Sequence, residues 1–310
     1  MSIKDKLNIV FMGTPEFAVP SLELLQKEFG VRAIVTVPDK PQGRGMKTHP
    51  SPIKQKAMEL DIPVLQPEKL KNEDFLAELK NIEPDIIVVI AFKILPKEIF
   101  DIPKIAIFNI HPSLLPKYRG AAPINWTIIN GEKETGLTSF LIQEKIDTGD
   151  ILFQNKYDIP NGFTAGDLYD FLMPEAAKMT IETCRLLLSG NYTPMKQDDS
   201  LATPAPKIFA ENCKIDWNET AKKIMNFING VSPVPGAWTI WNNKRLKILR
   251  VKYYPETINN PSSYIIYNNK FIIACGNDSL SLLEIQPEGK KAMKVTDFLR
   301  GYRGDNKGIF

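Results

Sequence analysis

Apolar and polar positions change period several times along the chain. Leu7–Met12 is a short apolar run, read as a buried strand, and Gly13-Thr14-Pro15 turns it into a helical pattern over Glu16–Glu28. Val31–Val37 predicts a second strand, Lys54–Leu60 a short helix and Ile62–Leu65 a short strand. Asn72–Asn81 reads as an amphipathic helix with Phe75, Leu76 and Leu79 on one side. Asp85–Phe92 is strongly apolar and β-branched, as a central parallel strand covered on both faces should be. Lys104–Ile110 is a further strand. Leu137–Gln143 and Ile151–Asp158 are two more, joined through Asp147-Thr148-Gly149-Asp150, and Thr164–Leu188 is a long helix ended by Ser189-Gly190-Asn191. Strands alternating with helices argue for an α/β fold: an open, mostly parallel sheet with helices on both faces.

The pattern then breaks. Residues 191–206 hold Pro194, Pro204 and Pro206 around Asp198-Asp199-Ser200 without an apolar period, so they read as a linker between a domain at 1–190 and another at 207–310. The second domain offers one helix, Thr220–Ile228, followed by short β-rich runs at Ala237–Trp241, Leu246–Val251, Tyr264–Tyr267, Phe271–Ala274 and Ser279–Ile285. Asn- and Gly-containing turns separate them, which suggests a small barrel or sandwich.

Composition sharpens this division. The chain has 310 residues, 43% of them apolar and 24% charged, inside the range of folded proteins. Its net charge of +3 hides an asymmetry. Residues 205–310 carry 16 Lys and Arg against 9 Asp and Glu, while residues 1–204 carry 23 against 27. Two readings fit a basic second domain: a polyanionic partner, or a solvated basic surface. The three cysteines lie far apart with no Cys-x-x-Cys pair, which indicates neither a zinc cluster nor a disulfide framework and suits a reducing cytoplasm. The longest apolar run, Ile86–Phe92, is far short of the ~20 residues a membrane helix needs, and no signal-peptide pattern precedes it. A cytoplasmic protein without membrane contact is expected.

Candidate chemistry gathers after the strand Lys104–Ile110. Ligands of open α/β sheets bind outside the carboxyl ends of the strands. Asn109 and His111 are two apart, so on extended chain they face one side. An amide can hold an oxyanion and an imidazole can accept a proton; alternatively, both satisfy loop backbone groups. Asp147, before Thr148-Gly149, is an ordinary turn residue unless it reaches His111, where it would orient the ring. The segment Gly13-Thr14-Pro15-Glu16-Phe17-Ala18 has one glycine and a proline where a dinucleotide site carries Gly-x-Gly-x-x-Gly, so a nicotinamide or flavin fingerprint and a phosphate-binding loop are both missing. Pro38–Lys47, with Lys40, Arg44 and Lys47 among two glycines and two prolines, reads as a flexible basic loop, either solvated or gripping phosphates.

Taken together, Gly13–Ala18, Gly43-Arg44-Gly45, the run Asn109–Pro123 (NIHPSLLPKYRGAAP) and Asp147-Thr148-Gly149-Asp150 resemble the methionyl-tRNA formyltransferase family. The likeness extends to the C-terminus, more thinly after residue 205, through Ala205-Pro206-Lys207-Ile208 and Val234-Pro235-Gly236-Ala237-Trp238. The resemblance implies a Rossmann-like sheet of the formyltransferase type followed by an oligonucleotide/oligosaccharide-binding (OB)-like β-barrel that holds tRNA. It implies transfer of a formyl group from 10-formyltetrahydrofolate, a co-substrate, to the amino group of methionyl initiator tRNA, without a metal and by a protein expected to be monomeric. By the same resemblance Asn109, His111 and Asp147 form the catalytic set, and Ser113, Leu114, Leu115 and Pro116 belong to the folate site. The Gly-Arg-Gly loop, with Arg44, approaches the tRNA acceptor end, and Lys47 of the same basic loop is a further candidate. From the residues themselves, Lys244, Arg245, Lys247 and Arg250 crowd a predicted strand of the second domain, either as contacts to tRNA phosphates or as charges guarding an edge strand. Enzymes formylating glycinamide ribonucleotide or amino sugar nucleotides share Asn-x-His…Ser-Leu-Leu-Pro. Arg119-Gly120-Ala121-Ala122-Pro123 and the basic second domain set this chain apart from the glycinamide type. A tRNA-binding module without catalysis is the alternative of a different class.

Overall fold

A computed structural model describes residues 7–42 and 47–310 of the chain. By internal contacts the chain forms two compact units. The first comprises the chain up to Gly120 with Thr135–Tyr157 and Tyr169–Pro204, and the second Ala121–Glu134, Asp158–Leu168 and Ala205–Phe310.

The first unit opens with β1 (Ile9–Gly13), α1 (Val19–Glu28) and β2 (Ala33–Val35), followed by a two-stranded antiparallel hairpin of β3 (Lys40–Gln42) and β4 (Lys47–His49). The sequence predicted only a loop there: the hairpin is three pairs long and carries no apolar alternation that would mark it. Then come α2 (Pro52–Glu59), β5 (Val64–Leu65), α3 (Glu73–Asn81), β6 (Ile86–Ile90) and β7 (Ala106–His111). Helix starts are fixed locally. The Ser51 hydroxyl accepts from Lys54 N at the head of α2, and Asn72 accepts from Phe75 N at the head of α3. Next in the chain is α4 (Pro123–Ile129), which belongs to the second unit. The apolar pattern did not reveal it, because its seven residues are too few to show a period. It precedes β8 (Glu134–Leu141), β9 (Ile151–Asp158) and the long α5 (Ala165–Ser189).

The first sheet has the order β5-β2-β1-β6-β7-β8-β9. β5, β2, β1, β6 and β7 run parallel, and β7 pairs antiparallel with β8. All five residues of β6 are buried, which explains its unbroken apolar sequence. Strand order reverses between β1 and β6, where Gly13 lies in register with Ile90; in open α/β sheets ligands bind outside the carboxyl ends of the strands at such a reversal, here those of β1, β6 and β7. Among the described residues no helix is long and apolar enough to cross a membrane.

The second unit continues with α6 (Ala221–Gly230), β10 (Ala237–Trp241), β11 (Lys244–Tyr254), β12 (Ser263–Tyr267), β13 (Lys270–Ala274), β14 (Ser279–Pro287), β15 (Met293–Lys294), α7 (Val295–Gly301) and β16 (Lys307–Ile309). The strands form an antiparallel sheet in the order β10-β11-β14-β13-β12-β16, curled into a half-barrel. Its core gathers Ile224 and Ile228 of α6 with Ile248, Phe271, Leu280 and Ile285. Thr220 caps α6 by accepting from Lys223 N, and Asn125 of α4 donates to the carbonyl of Gly230 at its far end. Thr164 and Asp167 form a reciprocal capping box at the start of α5.

Candidate active site

Asn109 and His111 are the fourth and last residues of β7, so their side chains leave the strand on the same face. They differ in every other respect. Asn109 is half-exposed, and its carboxamide makes no hydrogen bond to another described residue. His111 is buried, with its ring edge-on to Phe140 of β8. Its Nε2 lies 2.8 Å from the carbonyl oxygen of Tyr118. A carbonyl only accepts, so Nε2 carries a proton and Nδ1 is the nitrogen open to proton exchange. Nδ1 faces Asp147 Oδ2 at 3.7 Å, close enough for charge interaction and too long for a direct hydrogen bond.

The turn after β7 holds both members of this pair. Tyr118 (φ 62°) and Gly120 (φ 127°) have positive φ, the first a conformation non-glycine residues seldom adopt. The turn so formed points the Tyr118 carbonyl at His111 and the Gly120 N–H at Asp147 Oδ2, 2.8 Å away. Residues of the expected linker brace it. Thr203 Oγ1 accepts from Tyr118 N, and the Thr203 carbonyl accepts from Arg119 N, both at 2.9 Å.

Asp147 is itself a turn residue, with φ 54°, so its place in a tight turn and its place opposite His111 are one feature. Two residues on, a Cβ at Gly149 would come within 1.6 Å of the Leu141 carbonyl oxygen, so no other residue fits without moving β8 or the loop. Gln197 closes the loop from the other side. Its Nε2 donates to the carbonyls of Asp147 and Gly149 at 2.9 and 2.8 Å. Gln197 and Thr203 escape a pattern search because they sit outside any apolar period; Tyr118 and Gly120 fall in the Asn109–Pro123 run, but their parts here are played by backbone groups that no side-chain pattern reports.

The segment Ser113–Pro116 is divided. Ser113 is buried and donates its hydroxyl to the Lys117 carbonyl, and Leu115 packs with Phe140 and Ile151 in a small core. Thr138 and Gln154 tie the segment's backbone to β8 and β9. Leu114 and Pro116 are the two that remain partly exposed. Arg44, with Gly43, Gly45 and Met46, lies outside the described residues, and Lys47 begins β4 with its side chain also outside them.

The basic residues of β11 in the second unit also divide. Arg250 forms an ion pair with both carboxylate oxygens of Asp167, 2.6 Å away, and Lys247 donates to the Pro235 carbonyl. Partial burial works against charge on Asp167, but hydrogen bonds from Thr164 and Arg250 outweigh it and hold the carboxyl below its usual range. Lys244, Arg245 and Lys252 are exposed. The Arg245 guanidinium lies over the Trp238 ring at 4.1 Å, a flat cationic surface.

Among the described residues no group of three or more His, Cys, Asp or Glu is placed to hold a metal. All three cysteines are buried and free. Burial pushes their thiols up, Cys275 to about 12, so none offers a thiolate nucleophile at neutral pH.

Residues 7–184 match the family model described as formyl transferase, and residues 207–303 the model described as formyl transferase, C-terminal domain. The chain is 46% identical over 299 residues to a methionyl-tRNA formyltransferase of Clostridium novyi, covering 95% of this chain and 97% of that one. It is 41% identical over 312 residues to one of Bacteroides thetaiotaomicron, covering 97% of each. Among solved structures, a sugar 3N-formyl transferase, WlaRD, crystallised in the presence of dTDP and 5-N-formyl-THF, aligns with a TM-score of 0.70 at 25% identity, covering 92% of this chain and 99% of that one. An N-formyltransferase from Helicobacter canadensis shares the fold, with a TM-score of 0.70 at 23% identity over 91% of this chain and 99% of that one.

Proposed function

The chain belongs to the methionyl-tRNA formyltransferase family, and on that premise we propose that it transfers the formyl group of 10-formyltetrahydrofolate to the α-amino group of methionyl initiator tRNA. The observation that carries the assignment of residues is the Asn109 carboxamide, which bonds no described residue, on the same strand face as a buried imidazole opposed to Asp147.

The chemistry follows from those groups. The neutral α-amine attacks the formyl carbon, a C–N bond forms and the carbonyl π electrons move onto oxygen. Asn109, whose carboxamide bonds no described residue, donates its amide N–H to that oxyanion. The attacking nitrogen becomes acidic and loses a proton, which His111 Nδ1 can accept while Nε2 stays bonded to Tyr118. Asp147 stabilises the imidazolium so formed. As the oxyanion collapses, the bond to the folate nitrogen breaks and that nitrogen takes the proton back. The products are formylmethionyl-tRNA and tetrahydrofolate, with His111 as it began.

Leu114 and Pro116 are assigned to the folate side, with Ser113 and Leu115 shaping the segment from behind. Arg44 and Lys47 are assigned to the acceptor end of the tRNA. For the second unit, the exposed Lys244, Arg245 and Lys252 are the residues assigned to tRNA phosphates. Lys247 and Arg250, also candidates on sequence, already have protein partners and are assigned mainly to holding the sheet. A cytoplasmic monomer belongs to the same reading, and three free thiols suit that compartment.

The test is transfer of labelled formyl from 10-formyltetrahydrofolate to methionyl-tRNA, with tetrahydrofolate release followed in parallel. Stoichiometric appearance of both products is expected. Binding of tRNA without turnover would favour the non-catalytic module, and folate hydrolysis without an acceptor would overturn the reading.

A further inference from the structure

We propose that Gln197, oriented by Arg119, is a positioning residue for formyl transfer: it fixes the loop that holds the Asp147 carboxylate opposite His111. The inference rests on the role assigned above to Asp147 and adds to it a residue from the stretch that the sequence read as linker.

Every polar position of the Gln197 amide is used. Its Oε1 accepts from Arg119 Nε at 3.1 Å and from Arg119 Nη2 at 2.7 Å. Its Nε2 donates to the carbonyls of Asp147 and Gly149. The orientation is forced by chemistry. Guanidinium nitrogens only donate and carbonyl oxygens only accept, so a flipped amide would set donor against donor and acceptor against acceptor. Arg119 is held in turn by Asp199 Oδ1 at 2.7 Å. Arg119 also lies between Tyr118 and Gly120, the residues whose backbone groups reach His111 and Asp147. One side-chain pair therefore links the turn that holds His111 to the loop that carries Asp147.

That loop needs an external tie. Asp147 has a left-handed backbone conformation, and its Oδ2 receives one backbone hydrogen bond, from Gly120. Without Gln197 the carbonyls on both sides of Thr148 lose their donor, and the residue between Ile146 and Thr148 can relax toward commoner backbone angles. The separation of 3.7 Å between Asp147 and His111 would then widen. Glutamate, equal in shape, cannot replace glutamine here, because it would turn an oxygen toward the two carbonyls.

The experiment compares kcat and KM for the wild type, Gln197→Ala, Gln197→Glu, Asp147→Asn and the double variant Gln197→Ala/Asp147→Asn. Gln197→Ala should lower kcat by roughly tenfold or more, as loss of an outer partner of a functional side chain commonly does, with KM for folate and for tRNA changed by less than about threefold. Gln197→Glu should be no better. In the Asp147→Asn background, Gln197→Ala should have almost no further effect, since the group it positions is already lost. Arg119→Lys, which keeps the charge and loses the fork, should show a smaller loss of the same kind and covers the case in which Gln197→Ala folds poorly. Equal losses in both backgrounds, or a change confined to KM, would overturn the proposal. Wild-type activity in Asp147→Asn would instead remove the assigned role of Asp147. A large loss in Asp147→Asn beside an active Gln197→Ala would refute the positioning role alone.

Discussion

Asn109→Ala separates the chemical reading of the site from a purely structural one, because the two predict opposite signatures. If the carboxamide served the fold, its removal would strand a buried partner and cost about 1–3 kcal/mol of stability. The structure shows no such partner: Asn109 is half-exposed and its side chain bonds no described residue. Its truncation should therefore change unfolding free energy by no more than about 0.5 kcal/mol, the range of a surface substitution. The rate should respond very differently. A donor aimed at a developing oxyanion is typically worth about 10²–10³ in the chemical step, or about 2.7–4 kcal/mol. Urea unfolding of wild type and variant reads the first quantity. Single-turnover formation of formylmethionyl-tRNA with both substrates saturating reads the second, free of product release. A transfer rate within about threefold of wild type would refute the oxyanion role. A stability loss above about 1 kcal/mol with an unchanged rate would restore the structural one.

Four further outcomes are expected, three from the geometry of the described residues and one, for Arg44, from the role assigned to it. Gly149→Ala should lower both stability and kcat, because a methyl within 1.6 Å of the Leu141 oxygen must displace the loop that carries Asp147; unfolding and transfer assays together check it. Neutralising Lys244, Arg245 and Lys252 should weaken tRNA binding and reduce its salt dependence, the slope falling by about one for each phosphate no longer held, whereas a steep slope that persists would assign these residues to guarding the sheet. Asp167 has a lower pKa in the folded chain than in the unfolded one, so its contribution is complete above pH ~3.9 and is lost as pH falls from there through the folded value; Asp167→Asn should flatten that acidic loss in denaturation curves. Arg44→Ala should lower kcat/KM for methionyl-tRNA with folate affinity unchanged, and Arg44→Lys should restore only part, since the planar fork is missing; kinetics and folate titration of both variants decide.

The parts of the fold that stand out in the sequence are those where local chemistry and burial agree. β6 is unbroken Ile and Val because both its faces are covered, and α3 starts at an Asn that caps it. The hairpin of β3 and β4 lacks any alternation, and α4 is too short for a helical period, so neither declares itself. The site is legible in the same uneven way. Two readings of Asn109 and His111 are open in the sequence, and the geometry splits them. His111 does bond a loop carbonyl through Nε2, while the Asn109 side chain bonds no described residue. Asp147 is a turn residue by its backbone and also lies 3.7 Å from the imidazole, so the turn reading and nearness to His111 do not exclude each other. The charge asymmetry marks β11 but cannot show that Arg250 is spent on Asp167. Gln197 is beyond reach, because its partners are an arginine 78 positions away and two carbonyls of a distant loop.

The most direct test of the account is acceptor choice. Purified protein is supplied with labelled 10-formyltetrahydrofolate and, in one reaction at equal concentrations, methionyl initiator tRNA, glycinamide ribonucleotide and an amino sugar nucleotide, and the labelled product is identified. Label is expected on the methionyl-tRNA amino group, with tetrahydrofolate released in equal amount. Label on either small acceptor, with none on methionyl-tRNA, would contradict it.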